Sequence, residues 1–382
     1  MIPYYSPYFG FLDLIKTMLC FGAEVKLSEK FRELSGKKYI LFTSSCRSAL
    51  YLAYKAIGKK GLVHTSPLTC KVALLPILAT DNKICFNDVR QNDWTLDPNA
   101  VKDSITKDSI AIQAIHFGGF PCDMQALRRI ADENRLVLIE DCAQGYGSSY
   151  DGVATGKLGD ISCFTLTKNL FSLGGGVFAT NNKEWYSAAR KIQLGFDPEN
   201  KIKIIYRILL ALLSTYRTKL GCESLYQLIK GRTVITEPND ALDALTKELT
   251  KPSSIYLKSC LSRWDRIQSF VDKRKKAAKS LLCELNVSSE NRQCNPLSDS
   301  SFTKLFIRTT EDSRQRIEKL NNHGIEAMHL EHKHRVFFQE KLINYGYVMD
   351  SRKGVFVYHN LHDYIVSLPV NLKLLKKVDC LD

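Results

Sequence analysis

The chain has 382 residues, of which 45% are hydrophobic and 25% are charged, which is enough for a sizeable core and for two or more domains. This apolar content excludes an intrinsically disordered chain, and the 21 glycines and 11 prolines are too few for a collagen-like one. The 54 Lys and Arg residues outnumber the 40 Asp and Glu residues by 14, which favours anionic partners without identifying them.

The sequence argues against a membrane-spanning protein and against a metal centre. Its most apolar run, 204–213, is interrupted by Arg207 and falls well short of the roughly 20 residues that a spanning helix needs. No basic lead precedes an apolar core at the N-terminus, so a secretory signal is not expected. The 12 cysteines are scattered without CxxC or CxC spacing, which disfavours zinc and iron–sulfur sites. We therefore expect a cytoplasmic protein with reduced thiols.

Residues 38–180 alternate short apolar runs with amphipathic stretches, a pattern typical of βα units. A strand is predicted at 39–42, and residues 43–45 are typical helix N-caps. The helix that follows is predicted to end at Gly58. Its apolar face comprises Leu50, Ala53, Tyr54 and Ile57. Further strands are predicted at 109–115, 136–139, 161–165 and 177–180. A helix capped by Asp123 is predicted to bury Met124, Leu127, Ile130 and Ala131.

The segment 200–250 differs from the rest of the chain. Residues 201–232 contain seven bases and one acid, a net charge of +6. Three interpretations stay open for this segment: peripheral contact with an anionic membrane through 201–232, a cradle for a nucleotide pyrophosphate, or a helix packed on a partner subunit with a solvated basic face. A long helix is then predicted from about Ser253 to Leu285. We expect a large domain at 1–250 and a smaller C-terminal domain at 251–382.

Two charged residues follow predicted strands. Asp141 lies at the carboxyl end of a buried strand, where open α/β sheets bind ligands. A helix cap or a loop ion pair would also account for an acid at this position. Lys168 lies between a strand and three glycines, where its amine can be desolvated and act as a nucleophile, although most lysines are solvated surface charges.

The order of these motifs resembles the sugar aminotransferases of the DegT/DnrJ/EryC1/StrS family, which are fold-type I pyridoxal-phosphate enzymes. The resemblance extends from IPYYSP near the start to SLPVNLKL near the end and rests on TSSCRSALYLAYKAIG, FNDVRQNDWTLDP, IHFGGFPCDMQAL, RLVLIEDCAQGYGSSYDG, GKLGDISCFTLTKNL and SLGGGVFAT. It implies an α/β fold, in which a large domain with a mixed, mostly parallel sheet is followed by a smaller α+β domain.

The resemblance also implies roles for individual residues. Lys168 corresponds to the lysine that attaches the cofactor, pyridoxal 5'-phosphate, and then moves the proton between cofactor and substrate. Asp141 corresponds to the carboxylate that keeps the pyridine nitrogen protonated, so that the ring accepts electrons. Gln144 corresponds to the residue that bonds the ring hydroxyl. Cys46 and Arg47 stand where backbone amides at a helix N-terminus hold the cofactor phosphate.

Several positions depart from the family pattern. Cys46 and Arg47 replace a small Gly-Thr pair, and Arg47 either contacts the phosphate or points to solvent. Cys70 stands where many members have an aromatic residue that stacks on the cofactor. Cys163 occupies the position of the phosphate-binding Ser, so Thr165 is the best-aligned hydroxyl for that role.

The segment HGIEAMHLEHKHRVF resembles the strand and loop that meet the sugar nucleotide, with Met328 in place of the Arg of a number of relatives. His329 and His332 are weak candidates for substrate binding, because histidines in an exposed loop are more often solvated. They form a poor metal site, since no acid or cysteine stands at ligand spacing. The Asn-Tyr-Arg-Met motif through which family members reach into a partner's site is not visible.

The function implied by the resemblance is transfer of an amino group, with glutamate as the expected donor, to a nucleotide-linked keto sugar for surface polysaccharide or glycoside biosynthesis. A homodimer with shared active sites is expected. One alternative is a sugar dehydratase of the same family, in which a histidine typically replaces the lysine. Another is a non-catalytic relative that acts as a binding or regulatory protein. Nucleic-acid binding is not expected, because the basic excess lacks a recognisable binding motif.

Overall fold

The computed structural model describes residues 9–216, 238–284 and 286–308, together with short pieces nearer the C-terminus (315, 317–318, 322, 328–329 and 365–368). Its helices are α1 Phe11–Met18, α2 Ala23–Ser35, α3 Cys46–Ile57, α4 Lys71–Leu78, α5 Pro98–Ser104, α6 Met124–Glu133, α7 Lys183–Leu194, α8 Lys201–Tyr216, α9 Pro238–Glu248, α10 Ser254–Leu261 and α11 Trp264–Glu284. Among these described helices, none is apolar over enough residues to cross a membrane.

The strands belong to one large sheet and three small ones. They are β1 Tyr39–Thr43, β2 Leu62–Thr65, β3 Lys83–Phe86, β4 Ser109–Ile115, β5 Val137–Asp141, β6 Ser149–Tyr150, β7 Val153–Ala154, β8 Ile161–Thr165, β9 Gly176–Thr180, β10 Asp197–Pro198, β11 Thr250–Lys251, β12 Ser298–Asp299, β13 Leu305–Arg308, β14 Met328–His329 and β15 Ile365–Leu368. Short 3-10 helices lie at Phe117–Gly119 and Ser289–Asn291.

The large sheet has seven strands in the order β1-β9-β8-β5-β4-β2-β3. Strands β3, β2, β4, β5 and β8 are parallel, and β9 runs antiparallel to both of its neighbours, β8 and β1. Six of the seven strands therefore point the same way. The prediction of an α/β fold with a mixed, mostly parallel sheet is confirmed.

Apolar side chains cover both faces of this sheet, as parallel sheets require. On β1, Leu41 packs in one core cluster with α3 and α4, whereas Ile40 and Phe42 pack in another with α2 and α10. The same alternation of period two lets β9 contribute to both clusters. The sheet is therefore a buried layer between helices, and its strand ends are fixed by packing on two sides.

The local signals in the sequence placed several elements correctly. The strand at 109–115 and the helix capped by Asp123 are both present, and the cap accepts a hydrogen bond from the amide of Ala126. Helix α3 begins after Ser45, whose side chain accepts from the amide of Ser48, and ends at Gly58 with a φ of 68°. The left-handed backbone conformation at this position favours glycine, because glycine has no Cβ that would clash.

The prediction of one long helix from Ser253 to Leu285 is wrong in its continuity. The chain forms α10 and α11 with a break at Ser262 and Arg263, where α10 ends and its last carbonyls accept turn bonds. Helix α10 packs on α2, and its residues Leu257 and Cys260 lie in the core of the large sheet. Helix α11 stays in the same core after the break, through Ile267 and Val271. The domain boundary at 250 stays a prediction.

Candidate active site

A cavity lies at the edge of the large sheet where its parallel strands end. Register pairs Gly176 with both Thr43 and Thr165, and Asp141 with Cys163, so these strand ends meet at one place. The cavity has a volume of about 610 Å³, which suits a small-molecule ligand. All six predicted cofactor residues lie in its wall: Cys46, Arg47, Asp141, Gln144, Thr165 and Lys168.

Asp141 is buried at the end of β5, with only 3% of its surface exposed. Its Oδ1 accepts a hydrogen bond from the amide of Ala143 at 3.0 Å and lies 3.8 Å from the thiol of Cys46. Its Oδ2 lies 3.5 Å from the amide nitrogen of Gln113. Burial raises the pKa of Asp141, and the positive charge of Lys168 opposes that rise. A buried carboxylate held by neutral donors is stabilised by any cation that binds beside it.

Lys168 lies on the turn between β8 and β9, half-buried in the cavity wall. The next residue, Asn169, is buried and fixes this turn. Its Nδ2 donates to the carbonyl oxygens of Gln144 at 3.1 Å and Tyr146 at 2.9 Å, and its Oδ1 accepts from Arg274 at 3.0 Å. Because those carbonyls belong to the loop after Asp141, Asn169 ties the lysine turn to the segment that carries the acid.

The N-terminus of α3 opens into the same cavity. Ser45 accepts from the amide of Ser48 at 3.2 Å, and Cys46 and Arg47 form the first turn. A Cβ on Gly176 would lie 2.4 Å from the carbonyl carbon of Ser45 and 2.5 Å from the nitrogen of Cys46, so only glycine fits this close backbone approach. Free amides and the helix dipole make such an N-terminus an anion site.

The sequence model of the DegT/DnrJ/EryC1/StrS aminotransferase family matches residues 17–209, which is half of the chain and contains the whole of the large sheet. The chain belongs to the DegT/DnrJ/EryC1/StrS aminotransferase family.

Curated relatives in this family match only part of the chain. The spore coat polysaccharide biosynthesis protein SpsC of Bacillus subtilis is 34% identical over 178 residues, 45% of this chain and 46% of that protein. GDP-perosamine synthase of Escherichia coli O157:H7 is 33% identical over 165 residues, 42% of this chain and 45% of that protein. The chain thus spans about half of the length of the curated relatives it matches, or less.

Solved structures share the fold along the whole chain. A sugar aminotransferase from Micromonospora echinospora superposes with a TM-score of 0.75 at 18% identity, covering 100% of this chain and 99% of that one. The Escherichia coli GDP-4-keto-6-deoxy-D-mannose-3-dehydratase, solved with bound hydrated PLP, gives 0.74 at 17% identity, covering 100% and 98%. At these identities the comparison establishes the fold and no more.

Arg47, a departure from the family pattern at the start of α3, is predicted from the sequence either to contact the phosphate or to point to solvent. The structure shows a third arrangement, in which its Nη1 lies 2.6 Å from Glu248 at the end of α9 while the side chain still lines the cavity. About a third of each side chain is exposed. An interpretation as a simply solvated base is therefore wrong, and a phosphate contact stays a prediction.

The other departures lie close by. Cys163 is fully buried on β8 and is not among the cavity-wall residues, whereas Thr165 is, with its Oγ1 2.9 Å from that of Thr167. Cys70 is the N-cap residue of α4 at the cavity wall, so stacking on a bound cofactor would come from another residue or be weaker. Gln144 lines the cavity, but its Oε1 already accepts from the amide of Gly118 at 2.9 Å. The proposed cofactor roles of Thr165 and Gln144 stay predictions.

The two histidine candidates, His329 and His332, are far along the chain from the residues that line the cavity. His329 is on β14, opposite Val366 of β15, and His332 lies outside the described residues. Their part in substrate binding stays a prediction.

One buried cluster was missed by the sequence reasoning. His116, Glu140 and Cys142 place their ligand atoms within 4.8 Å of one another. Burial alone would raise the pKa of Glu140, but bonds from His116 and from the amides of Gly156 and Gly159 lower it. Since the carboxylate already has these donors, and the amide of Cys122 donates to Nδ1 of His116, we interpret the cluster as structural.

Sequence reasoning also missed the support behind Asp141. Tyr54 donates to Oε1 of Gln113 at 2.5 Å, and the amide group of Gln113 reaches the carbonyl of Ala73 at 3.2 Å as well as Asp141. A signal was present, because Gln113 is a polar residue inside the buried apolar strand SIAIQAI. Buried amides need partners, so such a residue in such a run indicates a hydrogen-bond network.

Proposed function

We propose that this protein is a pyridoxal-phosphate-dependent aminotransferase that moves an amino group, with glutamate as the donor, to a keto sugar carried by a nucleotide. Membership of the aminotransferase family supports the reaction class. Relatives at 31% identity over less than half of the chain are named as UDP- and dTDP-amino-sugar transaminases, which supports the substrate class. The name of the Bacillus subtilis relative supports a product destined for surface polysaccharide.

The cavity has the charge pattern that this cofactor requires. Pyridoxal phosphate has a phosphate, an aldehyde and a ring nitrogen that works best when protonated. The cavity offers a helix N-terminus, a lysine and a buried acid. The acid is decisive for the fit, since burial raises the pKa of Asp141 and a cationic ring nitrogen would relieve that unfavourable burial.

Each residue then has a defined task. The amides at the start of α3 bind the phosphate, with Thr165 as a hydroxyl donor, and Asp141 holds the proton on the ring nitrogen. Nζ of Lys168 would hold the cofactor through its aldehyde and, once released from it, would move the proton between the reacting carbons. Gln144 orients the ring through its hydroxyl. The bound cofactor supplies an electron sink for the reaction.

A single observation carries this proposal: Lys168 and Asp141, 27 positions apart in sequence, line one cavity beside a helix N-terminus. The same observation bears on the two alternative functions, a sugar dehydratase and a non-catalytic binding protein. A sugar dehydratase of this family typically has a histidine in place of the lysine, so Lys168 favours the aminotransferase. A non-catalytic binding protein would have no need for a lysine and a buried acid in one cavity wall.

We further propose a cytoplasmic homodimer. The ten cysteines among the described residues are all unpaired, as expected for a reducing compartment. Of the fourteen large apolar side chains that are exposed in the described part, eleven lie within 11–25 or 202–209. Residues 11–25 carry two acids and one base, and residues 202–209 carry two bases, so the two segments together are nearly neutral, which favours a second copy of the chain over an anionic membrane.

The first test is the absorbance of the purified protein with added pyridoxal phosphate and then with glutamate. We expect a visible band that bleaches with glutamate. Lys168→Ala should remove the band and the borohydride-stable attachment of the cofactor, whereas the exposed control Lys183→Ala should keep both. A Lys168→Ala protein that still attaches the cofactor would overturn the assignment of the lysine. A wild-type protein without the band would favour the non-catalytic binding protein.

A further inference from the structure

Helix α8 covers the cavity with one of its faces. Arg207, Leu210, Ala211 and Ser214 line the cavity, and their spacing of i, i+3, i+4 and i+7 places them within about 100° around the helix. Three of the four exposed large apolar residues of α8 lie on the opposite side: Ile202, Ile205 and Leu209. The basic segment whose role the sequence left open therefore contributes directly to the candidate active site.

The first turn of α8 is capped locally, and its last turn is attached to the N-terminal segment of the same chain. Oδ1 of Asn200 accepts from the amide of Ile202 at 2.8 Å in the first turn. At the other end, Oγ1 of Thr215 accepts from the amide of Phe9 at 2.9 Å, and the ring of Tyr216 stacks on Phe11 with centroids 5.6 Å apart. The helix is thus a fixed wall of the cavity rather than a free surface element.

Arg207 is the charged residue on the cavity face of α8. Its Nη2 lies 3.5 Å from Oε1 of the buried Glu199, and its guanidinium lies 5.2 Å from the ring centroid of Tyr256. A Cβ on Gly174 would lie 2.4 Å from Nη1 of Arg207, so the guanidinium packs directly against the glycine run. Glu199 and Tyr256 orient a planar group whose several N–H donors suit a carboxylate or a phosphate.

The position of Arg207 differs from that of the predicted phosphate cradle. The cradle at Ser45 and Cys46 contacts Gly176, whereas Arg207 contacts Gly174, two residues earlier. Because two residues of chain span at most about 7 Å, Arg207 lies close to the cradle but contacts a different glycine. Since the start of α3 and Asp141 already match the two charged groups of the cofactor, Arg207 can serve another anion in the same cavity, whose wall also contains Arg47 and Arg263.

We infer that Arg207 on α8 binds an oxyanion of the substrate, either a carboxylate of the amino donor or the diphosphate of the nucleotide sugar. This inference rests on the proposed aminotransferase function and assigns part of its substrate recognition to a helix of the same chain. Glu199 serves as the positioning residue that holds the guanidinium toward the cavity.

The test compares wild-type protein with Arg207→Gln, Arg207→Lys and the exposed control Lys201→Gln. Holoenzyme is titrated with glutamate by the bleaching of its visible band, and with UDP, GDP and dTDP separately by calorimetry. Loss of a charged hydrogen-bonding partner typically weakens binding by about tenfold or more. We expect that loss in Arg207→Gln, a smaller loss in Arg207→Lys and no change in Lys201→Gln.

The two arms identify the anion. Weaker glutamate binding assigns Arg207 to the donor carboxylate, and weaker nucleotide binding assigns it to the diphosphate. Unchanged binding in both arms would overturn the inference, as would weaker binding of pyridoxal phosphate itself, which would assign Arg207 to the cofactor. Ala211→Leu, which fills the cavity from the same face and leaves Arg207 intact, should also weaken substrate binding and provides a second variant if Arg207→Gln does not fold.

The outcomes also separate this inference from the proposed function. Calorimetry measures nucleotide binding without turnover. If nucleotide binding depends on Arg207 but glutamate does not bleach the visible band, the aminotransferase proposal alone is contradicted. Normal bleaching and nucleotide binding in Arg207→Gln would contradict the inference alone.

Discussion

Asp141 illustrates a conflict between stability and function in a single residue. Its carboxylate is buried at the end of β5 among neutral donors, and burial raises its pKa. Near neutral pH the ionised form is therefore less stable in the folded protein than in the unfolded chain. The proposed reaction needs that charge beside the ring nitrogen, so the fold retains an acid where a neutral residue would be more stable.

Asp141→Asn should lower transaminase activity about 100-fold or more, because it removes the charge that stabilises the protonated ring. The same variant should make the cofactor-free protein more stable at neutral pH, by about 0.5–2 kcal/mol. Activity follows from the bleaching rate with glutamate, and the free energy of unfolding from denaturant titration. Asp108→Asn, at an exposed position, is the control and should change neither quantity.

The pH dependence has a definite sign. An Asp whose pKa is raised on folding contributes stability that is fully present below its unfolded pKa and is lost as the pH rises through its folded pKa. The stability advantage of Asp141→Asn should therefore be largest at neutral pH and shrink in acid, below the raised folded pKa. An advantage that grew as the pH fell would contradict the assignment of the raised pKa to this carboxyl.

Strand ends and one helix start bring the candidate site together, and this much was predictable from the sequence. The apolar runs, the cap at Ser45 and the acid after a buried strand are local signals, and they fixed the elements that carry Asp141, Lys168 and Cys46. Parallel strands then place such residues at one edge of a sheet. The resemblance to the family supplied the roles that these local patterns left open.

Features that depend on long-range packing were not predictable. The pairing of Arg47 with Glu248 joins residues 201 positions apart, and nothing in either local sequence indicates it. The break between α10 and α11 is another case, since the apolar spacing alone suited one continuous helix. The sequence leaves three interpretations open for the basic segment that contains α8, and only the tertiary structure places its Arg207 in the cavity wall.

The glycine run before β9 gives the element-scale prediction. Gly176 lies against the first turn of α3, where a Cβ would meet backbone atoms at 2.4 and 2.5 Å. Gly176→Ala should push the N-terminus of α3 away and weaken the binding of pyridoxal phosphate about tenfold or more, because a misplaced phosphate site loses its aligned donors. The measurement is an absorbance titration with the cofactor.

Gly195→Ala is the matched control for this variant. Gly195 follows α7, and a Cβ there would lie 3.3 Å from its nearest heavy atom, the carbonyl oxygen of Ile192. It should leave cofactor affinity unchanged. If Gly176→Ala bound the cofactor as tightly as wild-type protein while both variants remained folded, the start of α3 would not be the phosphate site.

At the scale of the whole molecule, the distribution of exposed apolar side chains is uneven. Eleven of the fourteen large ones in the described residues lie within 11–25 or 202–209. The ring of Tyr216 at the end of α8 stacks on Phe11 at the start of α1, so the helices α1 and α8 meet at that end. Exposed apolar side chains concentrated in this way typically mark an interface.

The proposed homodimer predicts that a charge placed in these segments will favour monomers. Leu12→Glu and Ile205→Glu, at positions that are 65% and 57% exposed, should each shift the protein toward monomer in sedimentation velocity, because an unpaired charge buried in an interface is costly. Leu297→Glu, at a position that is 50% exposed outside both segments, should leave the assembly unchanged. The dimer would be contradicted if the wild-type protein sediments as a monomer and floats with anionic phosphatidylserine vesicles. If the Ile205→Glu variant then no longer floats, the outer face of α8 is assigned to a membrane surface instead.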